Sequence, residues 1–233
     1  MANPVQMRQL FDPETSTYSY LLFDDQTKEA ILIDSVIEQH DRDLKLIKEL
    51  GLTLLYLVET HVHADHITGA DKLRSATGAK VVLGKAAGIE CADILLENGK
   101  DLIFGAFSLK GLATPGHTAG CTSYLCEGMV FTGDALLIRG CGRTDFQQGS
   151  PEALYNSIHT QIFSLEDATV VYPGHDYKGV MSSTIGEEKT HNPRLGQSKP
   201  LNEFAKIMDN LNLPYPKKLD ASLPANLICG ATP

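Results

Sequence analysis

The chain has 233 residues, 42% hydrophobic and 21% charged, a balance that fits one globular domain, with or without a short extension, and a core that needs no staples. Twenty Lys and Arg against 29 Asp and Glu leave a net charge of −9, which excludes a general affinity for nucleic acid or anionic membranes, since both require a positive field. No apolar run approaches the ~18 residues of a membrane span, the opening Met1–Phe11 lacks the apolar stretch of a signal peptide, and five cysteines without a CxxC or zinc-ribbon spacing (Cys91, Cys121, Cys126, Cys141, Cys229) are expected as reduced thiols.

Three β-like runs open the chain at Val5–Phe11, Tyr18–Asp24 and Glu29–Asp34, separated by Asp-Pro and Asp-Asp-Gln turn chemistry. A helix is expected over Gln39–Leu50, closed by Gly51 at its C-cap. Leu52–Glu59 is nearly all apolar, the pattern of a strand buried on both faces, and it ends directly at Thr60-His61. A helix is predicted from about Asp65 to Ala76. Further strands are expected at Val81–Leu83, Phe107–Leu112, Thr122–Cys126, Met129–Phe131 and Val170–Tyr172. Ser150-Pro151-Glu152 reads as a helix start, with Ser as N-cap and Pro at the first helical position. The C-terminal stretch adds a helix over Leu201–Asn210 and then Pro-rich irregular chain. Strands flanked by helices throughout argue for a layered α/β domain.

Thr60–His66, THVHADH, packs three imidazoles and a carboxylate into six residues, His61, His63, Asp65 and His66. Imidazole and carboxylate suit iron, zinc, manganese and related ions. Three later segments repeat a pattern of strand, glycine turn and ligand-type side chain: TPGH ending at His117, TGD ending at Asp134 and PGH ending at His175. Burying so many unpaired polar groups without a ligand would cost several kcal/mol each. His40 and His159 fall on expected helices and are read as structural; His191 carries no assignment.

The run HxHxDH followed by a distant His, Asp and His resembles the metal signature of the metallo-β-lactamase fold, which implies a four-layer αββα sandwich with the site at one edge of its two sheets, formed by a single domain over 1–233 with a short extension from about 180. FTGDALLIRGCGRTDFQQ at Phe131–Gln148, YPGHDY at Tyr172–Tyr177 and EEKTHNPRL at Glu187–Leu195 resemble the persulfide dioxygenases more sharply. That resemblance implies oxidation of glutathione persulfide by O2 to sulfite and glutathione, in persulfide detoxification. It also implies one Fe(II) held by His61, His117 and Asp134, with His63, Asp65, His66 and His175 as groups that hydrogen-bond around them. A homodimer is the analogy-level expectation, and the compartment would be the cytoplasm for a bacterial chain or the mitochondrial matrix for a eukaryotic one.

Glutathione carries two carboxylates, so Arg143 and Arg194 are candidates to grip them and Tyr177 to hydrogen-bond the peptide or bound oxygen. Either arginine could equally serve an internal ion pair, Arg143 with Asp145. Cys141 reads as a small packing residue, and no protein nucleophile is required. The same seven side chains hold two zinc ions in hydrolytic relatives, so a glyoxalase II-like thioester hydrolase is the alternative; the stretch after His175 is short for it, and GCGRTDFQ fits it poorly. A closed structural zinc site would draw on Cys, and a β-lactamase would carry a secretion signal.

Overall fold

The computed structural model describes residues 3–216 and 218–231; positions 1–2, 217 and 232–233 of the expected 1–233 unit lie outside the described residues. The chain opens on β1 (Gln6–Asp12), β2 (Thr17–Phe23), β3 (Glu29–Ile33), α1 (His40–Glu49), β4 (Thr53–Val58), α2 (Ala70–Thr77), β5 (Lys80–Gly84) and β6 (Ile94–Leu96). There follow β7 (Asp101–Phe104), β8 (Phe107–Ala113), β9 (Thr122–Cys126), β10 (Met129–Gly133), α3 (Pro151–Ser157), β11 (Val170–Pro173), β12 (Ser183–Thr184), α4 (Ile185–His191), α5 (Leu201–Asp209) and α6 (Leu219–Asn226). Two six-stranded sheets result, ordered β1-β2-β3-β4-β5-β6 and β12-β11-β10-β9-β8-β7. The first is antiparallel up to β3 and parallel from β3 to β6. The second is antiparallel from β7 to β10, with β11 parallel to β10.

Side chains alternate across a strand with a period of two, so one strand can feed two cores. β2 is buried along its whole length: Tyr20 and Leu22 enter the space between the sheets with Ile33, Val58, Phe104 and Phe131, while Leu21 and Phe23 join the outer layer with Ile47, Ala70 and Leu73 of α1 and α2. The outer face of the second sheet is covered likewise, Val130 and Val171 packing with Leu154 of α3 and with Phe204 and Met208 of α5. These three cores make the expected αββα sandwich. Phe131, fully buried, stacks on Tyr172 with ring centroids 5.4 Å apart; deleting such a ring costs about 3–5 kcal/mol.

Three expectations are corrected. The helix predicted from Asp65 begins instead at Ala70. In a helix the His66 carbonyl would accept from the Ala70 amide; here it accepts from Asn226 Nδ2, and Thr68 Oγ1 takes the Ala70 amide. The Pro-rich end is not all irregular, since α6 spans Leu219–Asn226 with Pro224 inside it. The cysteines are not all reduced: Cys91 and Cys229, 138 residues apart, form a disulfide with Cα atoms 5.9 Å apart, while Cys121, Cys126 and Cys141 are free and buried. Spacing along the chain carries no trace of a pair that only folding brings together. The short elements β6, β7 and α4 also have no counterpart in the sequence reading, because three to seven residues are too few to set a period.

Candidate metal centre

Each member of the expected cluster lies at or just past the C-terminal end of a strand: His61 past β4, His117 past β8, Asp134 past β10 and His175 past β11. The rigid sheets therefore set the spacing of the loops. Cross-sheet hydrogen bonds hold the strand ends in place: Thr122 N donates to Thr60 O at 2.8 Å, Tyr124 Oη to Glu59 O at 3.0 Å and Tyr18 N to Gly174 O at 2.8 Å. Gly133 allows β10 to come this close to β4. Its φ of +49° favours glycine, and a Cβ there would stand 2.4 Å from Thr60 Oγ1.

His61, His117 and Asp134 bring one ligand atom each to within 4.8 Å of one another. His117 Nδ1 donates to Arg143 O at 2.6 Å. A carbonyl only accepts, so the proton is fixed on Nδ1, and Nε2 presents its lone pair 3.7 Å from Asp134 Oδ2. His61 is oriented in the same way. Thr60 Oγ1 donates its proton to Asp34 Oδ2 at 2.8 Å and so accepts from His61 Nδ1 at 3.0 Å. Burial, then the neighbouring His63 and His117, hold the His61 pKa well below the usual imidazole value, which keeps it a neutral donor.

His63 faces the other way. Its Nε2 lies 3.1 Å from Asp34 Oδ1 and 3.2 Å from Glu59 Oε2. Burial opposes charge on this ring, but the Asp34 carboxylate and its hydrogen bond, with Glu59, outweigh that and raise its pKa well above normal. His66 Nδ1 sits 2.8 Å from Asp65 Oδ2. His175 donates from Nδ1 to Ser16 O at 3.2 Å, which turns Nε2 toward Asp65 Oδ2 at 3.5 Å and Asp134 Oδ1 at 3.6 Å. Burial lowers the His175 pKa, but Asp134 and Asp65 raise it more. Burial likewise works against the Asp65 charge, yet His66 and His175 bring its pKa well below the carboxylate range.

Three buried atoms of this cluster, His63 Nδ1, His66 Nε2 and Asp134 Oδ1, have no hydrogen-bond partner. Buried polar atoms without partners are costly, and these fall in two neighbouring groups able to hold a cation, Asp134 with His61 and His117, and His63 and His66 with Asp65. Two imidazoles and a carboxylate on one side, with the remaining positions left to small molecules, suit iron, zinc or manganese.

The three candidates for substrate contact lie beside this cluster. Arg143, whose carbonyl orients His117, forms a two-pronged pair with Asp145 at 2.6 and 2.7 Å and donates to Pro214 O at 2.7 Å. Its guanidinium also lies over the Phe146 ring, 4.6 Å from the centroid. Those bonds occupy three of its five N–H groups. Arg194 donates from Nη1 to Cys141 O at 2.8 Å, next to Gly142 in the loop that packs on His117. Tyr177 is 76% exposed and stacks parallel to His175, with centroids 6.1 Å apart.

Asp34, Glu59 and Asn226 carry parts of this architecture and had no role in the sequence reading. Asp34 and Glu59 are nearly fully buried acids, and each ends an apolar run in the sequence. An acid at the end of a buried strand was the available signal. Asn226 is 163 residues from the His63 carbonyl it grips at 2.8 Å; Pro224-Ala225-Asn226 resembles the persulfide dioxygenases, but that likeness assigned it no contact.

Residues 12–175 match the model of the metallo-beta-lactamase superfamily. The mitochondrial persulfide dioxygenase of Bos taurus is 53% identical over 230 residues, covering 97% of this chain and 89% of that protein. The mitochondrial persulfide dioxygenase of Homo sapiens is 52% identical over the same shares. The crystal structure of ETHE1 from Myxococcus xanthus superposes with a TM-score of 0.94 at 53% identity, covering 97% of this chain and 100% of that one.

Proposed function

This chain belongs to the metallo-β-lactamase superfamily, and on that premise we propose that it is a persulfide dioxygenase that oxidises glutathione persulfide with O2. In that reaction the terminal sulfur gains both atoms of O2 and one oxygen from water and leaves as sulfite, while the inner sulfur returns as glutathione thiol. The observation that carries this reading is the 53% identity to a persulfide dioxygenase over nearly the whole chain.

We assign His61, His117 and Asp134 as holders of one Fe(II). The two imidazoles and the carboxylate converge, and the unpartnered Asp134 Oδ1 among them fits a cation. Iron supplies the redox capacity that links persulfide and O2, which the chain's own side chains lack. Thr60 and the Arg143 carbonyl fix the tautomers of His61 and His117. Asp34 and Glu59 draw His63 Nε2 away from the cluster. His66 hydrogen-bonds Asp65, and His175 Nε2 stands between Asp65 and Asp134 at 3.5 and 3.6 Å, so these side chains line one side of Asp134. Arg194, with N–H groups to spare, and Tyr177 bind the glutathione moiety. Arg143 contributes its two remaining N–H groups to a substrate carboxylate and, through its carbonyl, holds His117. The unit spans 1–233, with the stretch from about 180 serving the site through Arg194 and Asn226. No helix among the described residues is long and apolar enough to cross a membrane; the compartment follows the source, the matrix in a eukaryote or the cytoplasm in a bacterium, and the assembly is a homodimer.

The test is metal analysis joined to an oxygen-electrode assay. One iron per chain, with oxygen uptake only when glutathione persulfide is added, supports the proposal. Two zinc per chain with turnover of a glutathione thioester and no oxygen uptake replaces it with the hydrolase.

A further inference from the structure

We propose that the Cys91–Cys229 disulfide is a thiol-exchange site whose redox state sets how firmly the C-terminal segment holds the HxHxDH loop. The bridge joins the loop between β5 and β6 to the turn just after α6. The segment it fastens grips the loop directly. Asn226 Nδ2 donates to His63 O and His66 O at 2.8 Å each, and Asn226 Oδ1 accepts from Thr68 N at 2.9 Å. Cys229 O accepts from Asp71 N at 3.1 Å. A Cβ at Gly230 would stand 2.2 Å from Thr68 O, so the chain lies flat on the loop backbone. Leu223 and Leu227 also form one wall of a cavity of about 230 Å³ whose other walls include Val62 and Thr118, the immediate neighbours of His61 and His117.

By itself α6 is a weak anchor. It has eight residues, contains Pro224 and has no apolar stripe. Leu227 and Ile228, which follow it, are 50% and 46% exposed. A helix this short does not hold itself in water, so the covalent bond keeps Asn226 seated. Cys229 is 2% exposed, whereas Cys91 is half-buried. An incoming thiolate therefore meets the Cys91 sulfur: a bond forms to it, the S–S bond breaks, and Cys229 leaves as thiolate and takes a proton. A second thiol attacks the mixed disulfide and releases Cys91. The bridge gains two electrons, and two low-molecular-weight thiols lose them as they leave joined in a disulfide. Glutathione, the thiol product of the reaction proposed above, belongs to this class.

The test uses full-length metal-loaded protein purified in air without reductant. Denaturing alkylation and mass spectrometry should find three free thiols and one disulfide, and glutathione should raise the free thiols to five. On reduction, amide hydrogen exchange at Thr68 and Asp71 should quicken about tenfold, and metal release to a chelator should quicken by about tenfold or more. Cys91→Ser should behave as the reduced protein with or without glutathione; should that variant not fold, the reduced wild type gives the same readout. Five free thiols at the outset, a bridge that glutathione cannot open in the folded protein, or exchange and metal release unchanged by its opening would each overturn the proposal. The exchange measurement does not depend on the dioxygenase reading, so failure of one is distinguishable from failure of the other.

Discussion

Asp34→Asn isolates the electrostatic support behind the metal loop. The Asp34 carboxylate accepts from Thr60 N at 2.7 Å, from Thr60 Oγ1 at 2.8 Å and from His63 Nε2 at 3.1 Å. Its φ of +51° lies in the left-handed region, which Asn also tolerates, so the backbone is left alone. The amide keeps one acceptor oxygen, enough for the Thr60 amide. That same oxygen, in the place of Oδ1, still accepts from His63 Nε2, so the NH2 group takes the place of Oδ2 and faces Thr60 Oγ1, which must reverse its role. The carboxylate charge beside His63 is lost and the Thr60 hydroxyl proton loses its acceptor, a cost of about 1.5–3 kcal/mol. Because Thr60 Oγ1 also orients His61, metal affinity should fall roughly 10–100-fold. Urea unfolding of the metal-free protein gives the first number, and competition with a chromophoric chelator gives the second. A stability change under about 0.5 kcal/mol together with unchanged metal affinity would refute the claim that Asp34 supports the site.

His117→Ala should abolish retention of the metal through gel filtration, measured by elemental analysis; wild-type metal content would remove His117 from the ligand set. Arg194→Ala should raise KM for glutathione persulfide with kcat little changed, because its spare N–H groups are assigned to uniform binding contacts; a loss confined to kcat would contradict that assignment. Asp65 has a depressed folded-state pKa, so its stabilising contribution is complete above its ordinary value of 3.8 and is lost as pH falls from there through the folded value. The advantage of the metal-free wild type over Asp65→Asn in thermal unfolding should therefore be present at pH 6 and shrink below about pH 4; a difference that stays constant across that range would show that Asp65 acts through packing.

Much of this was legible from the chain alone. The apolar run at Leu52–Glu59 announced a strand buried on both faces, and such a strand requires a layer on each side. The ligand-type residues stood out because each follows a strand, three of them through a glycine turn, so His61, His117, Asp134 and His175 could be named before their convergence was visible. The support behind them was harder to read. Asp34 and Glu59 looked like ordinary strand ends, although together they turn His63 away from the cluster. Arg143 could be assigned equally to substrate or to Asp145, and its two-pronged pair with Asp145 appears only with coordinates.

What the sequence determined by itself was the class of fold, the set of ligand-type side chains that converge and the chemistry such side chains permit, because periodicity and residue type are local properties. What the tertiary structure alone decided was which ring nitrogen each histidine presents, where α2 begins, and that residues 226–229 close beneath the metal loop through Asn226 and a disulfide. Those outcomes depend on hydrogen bonds and a covalent bond between positions as many as 163 residues apart, and contacts of that range leave no pattern in any local stretch of chain.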